Sequence, residues 1–483
     1  MMVTLASRLF GLLGLMLLIG CATRPVNPPI ARVDPEAGYR FLTRQHYFRD
    51  HDSLVVLAFS GGGTRAAAFS YGVLEVLRDT EIVGPNDAKR RMLDEVDVVT
   101  GVSGGSFTAL AYGLYGDRLF DGYEQDFLKR DVEATLLRRL IDPMYWGDLW
   151  STGWGRSELA ARYYDEILFH GATFGDLQRG SGPLIVVTAT DISTGARVPF
   201  QQPFFDVLCS DLGAVELSRA AAASSAVPVV LSPVTLNNYG GTCGYRPPVW
   251  IANLVDAAKP PRPIARMMRQ LAELESYNDG VQRPYVHLVD GGVADNLGLR
   301  GVLDVLGALE AEHALGRPTP LDRVRRIAIF VVNSLSSPAT HWDVSVDAPG
   351  TFAILLKATG VPIDHFSFEA VELLRDTEAR WALQRRIRES PAFDASRDPV
   401  LASAISAPAI DVYAIDVSFP ALADKAEVAY LNSLPTSFAL PAEAVDRLRM
   451  AARTIVESSP DFKRLVHDVV ARPTPLVQPR LPP

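Results

Sequence analysis

Leu54-Val55-Val56-Leu57-Ala58-Phe59, followed directly by Ser60-Gly61-Gly62-Gly63-Thr64-Arg65, is the stretch on which the fold turns. Six apolar residues without alternation read as a strand buried on both faces, the pattern of a parallel sheet covered by helices. The glycines then turn the chain, and Ala66 to about Asp79 reads as a helix. Working outward, the same rhythm recurs. Val96–Thr100 is a strand, Gly101–Gly105 a tight turn and Phe107–Tyr115 a helix. Further apolar strands are expected at Leu184–Ala189, Val286–Val289, Ile327–Val332 and Val412–Val417, with helical segments between them. Alternating strands and helices predict an α/β fold, a mostly parallel central sheet with helices on both faces. Three stretches break the rhythm and read as loop or helix insertions over the sheet edges: 140–156, 237–283 and the loop-like 336–365.

The bulk composition agrees with a globular enzyme or binding protein. With 483 residues, 48% apolar and 21% charged, a sizeable core is expected and global disorder is not. The net charge of −9 argues against a nucleic-acid partner, whose phosphates call for clustered Lys and Arg. Three cysteines without CxxC spacing and eight scattered histidines offer no recognisable metal site, and no cofactor is expected. The sequence carries no reading of oligomeric state.

At the start, Arg8 precedes the apolar run Leu9–Ile19, too short to span a bilayer comfortably and suited to a secretion signal. The run ends Leu18-Ile19-Gly20-Cys21, which resembles a bacterial lipobox and marks Cys21 for lipidation. Ala22 after the cysteine, rather than Asp, favours the outer membrane by the same resemblance. The expected organisation is therefore a signal peptide over 1–20 and a lipidated, Pro-rich tether over 21–52. A catalytic core over 53–335, a C-terminal part of the same domain over 336–472 and a loose tail over 473–483 complete it.

Three motifs carry chemistry. Gly101-Val102-Ser103-Gly104-Gly105 is a G-x-S-x-G sequence between a strand and a helix, the context in which a serine projects from a sharp turn as a nucleophile. Gly61-Gly62-Gly63 leaves backbone N–H groups free between a strand and a helix, an anion-binding concavity that suits the oxyanion of acyl transfer. A dinucleotide reading of Gly61-x-Gly63-x-x-Ala66 lacks the acidic residue expected at the next strand end, where Thr100-Gly101 stands. Asp290-Gly291-Gly292 closes the strand Tyr285–Val289, and reactive residues gather beyond the carboxyl ends of strands in open α/β sheets. Asp290, Ser103 and the glycine loop are thus expected at one edge.

This ordered set resembles the patatin-like phospholipase family. Gly-Gly-Gly-x-Arg stands first, Gly-x-Ser-x-Gly about forty residues later, and Asp-Gly-Gly far downstream. Arg219-Ala220-Ala221-Ala222-Ala223-Ser224-Ser225-Ala226-Val227-Pro228 is similar to that family's Ala/Ser-Pro block. The four motifs cover roughly residues 54–300. The resemblance implies hydrolysis of lipid acyl esters by a Ser-Asp dyad without histidine, with membrane lipid as substrate. Ser103 would be the nucleophile, Asp290 the base, and Gly61, Gly62, Gly63 and Arg65 the oxyanion region. Arg65 would position the loop, bind a phosphate head group or make a salt bridge at the helix start. Ala66 departs from the family, which often has Gly there.

The alternative function is a catalytically silent membrane lipoprotein that binds lipid or acts as a scaffold. It predicts a broken motif, and none is broken. Trp146, Trp150 and Trp154 would share one face if helical, either as a lipid-facing lid or, on the blander reading, as core packing. His287 lies three residues before Asp290 on the same strand, hence on the opposite face. The basic helix around Arg266–Arg269 reads as a solvated face. With Cys21 acylated, Cys209 and Cys243 are the remaining thiols of a secreted chain and are expected to pair, the alternative being two separately buried thiols.

Overall fold

Seven strands assemble into one path of neighbours in the computed structural model, which describes residues 24–470 apart from 45–51, 84–88, 150–153, 229, 248–263, 315–316, 320–321, 338–339, 341, 345, 395–396, 398–404 and 406–407. The expected signal peptide, Cys21, Trp150 and the tail over 473–483 lie outside the described residues.

In chain order the strands are β1 (Ser53–Phe59), β2 (Glu81–Val83), β3 (Lys89–Arg91), β4 (Val96–Val102), β5 (Leu184–Asp191), β6 (Arg197–Pro199), β7 (Val234–Asn237), β8 (Tyr285–Val289), β9 (Arg326–Asn333) and β10 (Asp411–Ser418). The main sheet runs β10-β9-β1-β4-β5-β8-β7, with β6 also on β5, while β2 and β3 pair separately. From β10 to β5 every pairing is parallel. Beyond β5 the direction changes: β8 pairs antiparallel to β5, and β7 antiparallel to β8.

The apolar run that opens β1 is buried along its whole length because alternate residues feed two different cores. Val55, Leu57 and Phe59 join Phe330 and Val332 of β9 on one face. There they meet helices α1 (Gly63–Asp79), α2 (Gly104–Tyr115) and α3 (Leu217–Ser224). Leu54 and Val56 join Ile327, Ile329 and Val331 on the other face. That face is covered by α4 (Arg300–Ala314) and α5 (Thr351–Glu389) through Leu303, Leu306, Leu374 and Trp381. Each such side chain contributes about 1.5–3 kcal/mol on leaving water. The C-terminal part belongs to the same body: β10 extends the sheet from β9, and α6 (Ala442–Ser458) and α7 (Pro460–Val470) add Leu448, Ile455 and Leu465 to the first core. Among the described residues no helix is long and apolar enough to cross a membrane.

Residues 24–44, within the expected tether, pack against the body of the protein. Tyr39 is fully buried, Arg40 pairs with Asp206 at 3.0 Å, and the Ile30 N–H donates to Cys209 O at 2.9 Å. Its prolines hold the chain extended, and Pro29 forms a β-bridge with Ser210. The loop expected over 336–365 becomes helical from Thr351, within a 39-residue α5 that contains Pro362. Gly360 and Pro362 look like helix breakers in sequence, but Leu374 and Trp381 further along α5 bury against the sheet, and that packing holds the helix together. Trp146 and Trp154 share no helical face: Trp146 is exposed on the helix Trp146–Leu149, whereas Trp154 is buried outside any helix.

Candidate active site

Ser103 stands alone between β4 and α2, with φ 48° and ψ −120°. A non-glycine residue at positive φ is strained, and it is held there by its surroundings. Its N–H donates to Ser224 Oγ at 2.8 Å, and its carbonyl accepts the Ser106 hydroxyl at 2.6 Å. Gly104 permits the turn, since an added Cβ would overlap the backbone oxygen of Gly63. The nucleophile turn and the glycine loop are therefore pressed together, backbone on backbone.

Asp290 reaches the same place by a route other than the expected one. Its strand does not run with the parallel set. β8 enters from beyond the carboxyl edge of β5 and runs back along it, with Leu288 opposite Asp191 and Val289 opposite Thr190. The strand therefore delivers its last residue alongside the ends of β4 and β5. The Asp290 N–H donates to Ala226 O at 2.9 Å, its carbonyl accepts the Thr190 hydroxyl at 2.9 Å, and the Gly291 N–H donates to Ser224 O at 3.0 Å.

The two side chains meet: Ser103 Oγ donates to Asp290 Oδ2 at 2.9 Å, while Asp290 Oδ1 accepts the Gly292 N–H at 2.7 Å. Burial pushes the Asp290 carboxyl up to about 6, against the opposing pull of the hydrogen bonds from Gly292 and Ser103. Both carboxylate oxygens are thus engaged without histidine. His287 bonds Thr235 instead, and His313 and His365 lie on α4 and α5. His341 lies outside the described residues.

The glycine loop divides. The Gly61 N–H is spent on Asn296 O at 2.8 Å, which corrects the assignment of Gly61 to the oxyanion region. Gly62, at φ 140°, and Gly63, at φ 61°, carry N–H groups that donate to no acceptor among the described residues. Arg65 is corrected as well. Its guanidinium turns away into the C-terminal part, donating to Ser334 O at 2.7 Å, Leu434 O at 2.9 Å and Thr436 Oγ1 at 3.1 Å. Among the described residues it makes no salt bridge. It ties the loop down, and burial lowers its pKa to about 10, so it stays charged at neutral pH.

Cys209 and Cys243 are joined by a disulfide with Cα atoms 5.5 Å apart, beside the bridge made by the N-terminal segment. Two contributors to the site went unread in the sequence. Ser224 holds Ser103 from inside the Ala/Ser-Pro block, whose place in the motif set was the available signal. Asn296 had none: its carboxamide oxygen would meet an added Cβ at Gly61 at 2.5 Å and one at Gly292 at 3.0 Å, volumes that Ser103 Cβ and Asp290 Oδ1 also border.

Ser103, strained at a strand-to-helix turn, is thus hydrogen-bonded to a buried carboxylate beside the glycine loop. The patatin-like phospholipase family model matches residues 57–303, just over half of the chain, and the chain belongs to that family of lipid hydrolases. No curated protein matches it. Among solved structures, it is similar to human GIVD cytosolic phospholipase A2, with 14% identity, 93% of this chain and 68% of that one covered, and a TM-score of 0.40. The same enzyme in complex with methyl gamma-linolenyl fluorophosphonate gives 15%, 89%, 63% and 0.40. VipD from Legionella pneumophila gives 12%, 92%, 73% and 0.24.

Proposed function

We propose that this chain hydrolyses acyl esters of membrane lipids, as a phospholipase A or lysophospholipase-like esterase, through an acyl-Ser103 intermediate with Asp290 as base. The observation that carries the proposal is the 2.9 Å contact between Ser103 Oγ and a buried carboxylate raised to about 6. A serine hydroxyl attacks poorly unless its proton is taken, and a carboxylate near 6 is a stronger base than an ordinary one while still ionised at neutral pH. Ser103 Oγ attacks the ester carbonyl as its proton passes to Asp290. The N–H groups of Gly62 and Gly63, with the N-terminus of α2 behind Ser103, stabilise the oxyanion. Asp290 returns the proton to the leaving alcohol, and water, deprotonated by the same carboxylate, releases the fatty acid. A fluorophosphonate probe tests this: it labels Ser103 in the wild type, whereas labelling that persists in Ser103→Ala defeats the assignment.

We further infer that Cys21 is acylated and holds the protein on the bacterial outer membrane. The lipobox pattern supports this, and Arg24, three residues on, already contacts Asn237 and donates to Thr235 O. Three extended residues span at most about 11 Å, so the anchor would keep the body close to the bilayer. Palmitate labelling that survives Cys21→Ser refutes it.

A further inference from the structure

The second half of α5 is accounted for by the sheet it covers: Ser367, Ala370, Leu374 and Trp381 are buried, and the last three join the second core. Its first half has no such role. Residues Thr351–Ile363 read Thr-Phe-Ala-Ile-Leu-Leu-Lys-Ala-Thr-Gly-Val-Pro-Ile, with Lys357 the one charge and no acid. None of the side chains described in that stretch is buried. Ile354 is 46% exposed, Leu355 50% and Val361 41%, and Phe366 and Phe368 continue the exposed apolar surface just beyond. A helix that is apolar all round belongs in a core or in lipid, and a contiguous apolar surface left in water marks a site of interaction.

The root of this half-helix sits against the dyad's supports. Phe366, Ser367 and Ala370 lie beside the short helix Gly292–Asp295 that follows the base, and the Gly292 N–H is the donor that holds Asp290 Oδ1 at 2.7 Å. Just before them, Asp364 interacts electrostatically with Arg65, which ties down the glycine loop. The free half of α5 therefore begins where the two loops of the site meet.

At a rise of about 1.5 Å per residue, Thr351–Ile363 is about 20 Å long. The hydrocarbon of a bilayer is about 30 Å thick, so the segment can enter one leaflet and cannot cross two. We propose that this half of α5 is a membrane-docking helix, which enters the facing leaflet and seats the Ser103–Asp290 site at the lipid surface. Lys357 reaches the head groups on its apolar stem, and the lack of acid between Thr351 and Ile363 suits an anionic surface. The choice of lipid as occupant rests on the hydrolase reading above. This contact differs from an anchor at Cys21, because it fixes the orientation of the body and not only its distance from the bilayer.

The test uses the full chain on vesicles of phosphatidylethanolamine and phosphatidylglycerol, doped with a phosphatidylcholine that carries a photoactivatable diazirine in its acyl chain. Peptides from 351–363 are expected to carry the lipid adduct, read by mass spectrometry. Adducts confined to other segments overturn the proposal. Ile354→Asp together with Leu355→Asp should abolish those adducts and lower kcat/KM on vesicle lipid at least about tenfold, because a carboxylate is costly in hydrocarbon. These side chains are exposed, so the fold should survive, and p-nitrophenyl butyrate, taken from solution, should be hydrolysed within about twofold of wild type. Equal losses on both substrates, or none on the vesicles, overturn the docking helix. Protein cross-links that join 351–363 of two copies, in place of lipid adducts, assign the surface to a second copy and also overturn it. Wild-type protein that gains the adduct yet is inert on every ester would defeat the hydrolase reading and leave the docking helix standing.

Discussion

Ser224 bridges Ser103 and the Asp290 turn: its hydroxyl accepts the Ser103 N–H at 2.8 Å and donates to Thr188 O at 2.7 Å, while its carbonyl accepts the Gly291 N–H at 3.0 Å. One residue of the Ala/Ser-Pro block thereby ties the Ser103 turn to the Asp290 turn. Ser224→Ala leaves the buried Ser103 N–H without an acceptor, at a cost of about 1–3 kcal/mol. The expected outcome is a folded protein whose urea midpoint falls and whose kcat falls more than its KM changes. A variant with wild-type kcat would show that the turn holds Ser103 unaided.

In the proposed mechanism Asp290 sets the pH dependence. As base it must be ionised, so kcat/KM should rise with pH, reach half its plateau near 6 and stay level above. Asp290→Asn should cost at least about a hundredfold in kcat, whereas His313→Ala and His365→Ala should cost far less. Stability runs the opposite way. The folded state raises this carboxyl from about 3.9, so it holds its proton more tightly than the unfolded chain does. The contribution is present below pH 4 and is lost as pH rises through about 6, by up to about 3 kcal/mol. Urea unfolding at pH 4 and pH 7 should show Asp290→Asn gaining on wild type at the higher pH.

Arg65 is a tie, and its loss should register as stability first. Arg65→Ala orphans two buried carbonyls and a hydroxyl, which predicts about 2–4 kcal/mol of destabilisation, measured by urea unfolding. Catalysis should suffer only as the Gly62-Gly63 loop loosens, so added phosphate-bearing and neutral esters should be affected alike.

Removing the disulfide with Cys209→Ser and Cys243→Ser should cost about 3–4 kcal/mol, as the bridge closes a loop of 34 positions. Because Cys209 O accepts the Ile30 N–H, the N-terminal segment should also loosen. Limited proteolysis around residues 24–44 should become faster in the double variant, with mass spectrometry locating the cuts.

Much of this was legible in sequence where local chemistry is strict. The run at β1 could only be a doubly buried strand, and glycines around Ser103 announced a turn that no bulkier residue tolerates. Asp290 was legible as a residue, but the direction of β8 was not, since an apolar strand reads the same parallel or antiparallel. The reach of Arg65 was hidden because its acceptors, Ser334 and Leu434, come from remote segments that the chain's own spacing does not bring near. Residues 24–44 hid for a related reason: Pro-rich extended chain adhering to an edge has no periodicity, though Tyr39 is as buried as any core residue.

The nucleophile and its base are 187 positions apart, and the strands that frame them close over still longer spans, as where the Ser334 N–H reaches Ser60 Oγ across 274. Such non-local pairing forms late and slowly during folding. A nascent chain can already carry Gly101–Gly105 and still lack both Ser224, which holds the Ser103 turn, and Asp290. On the proposed mechanism, ester cleavage would wait on those last long-range contacts, so that a chain still folding would spare the lipids it meets.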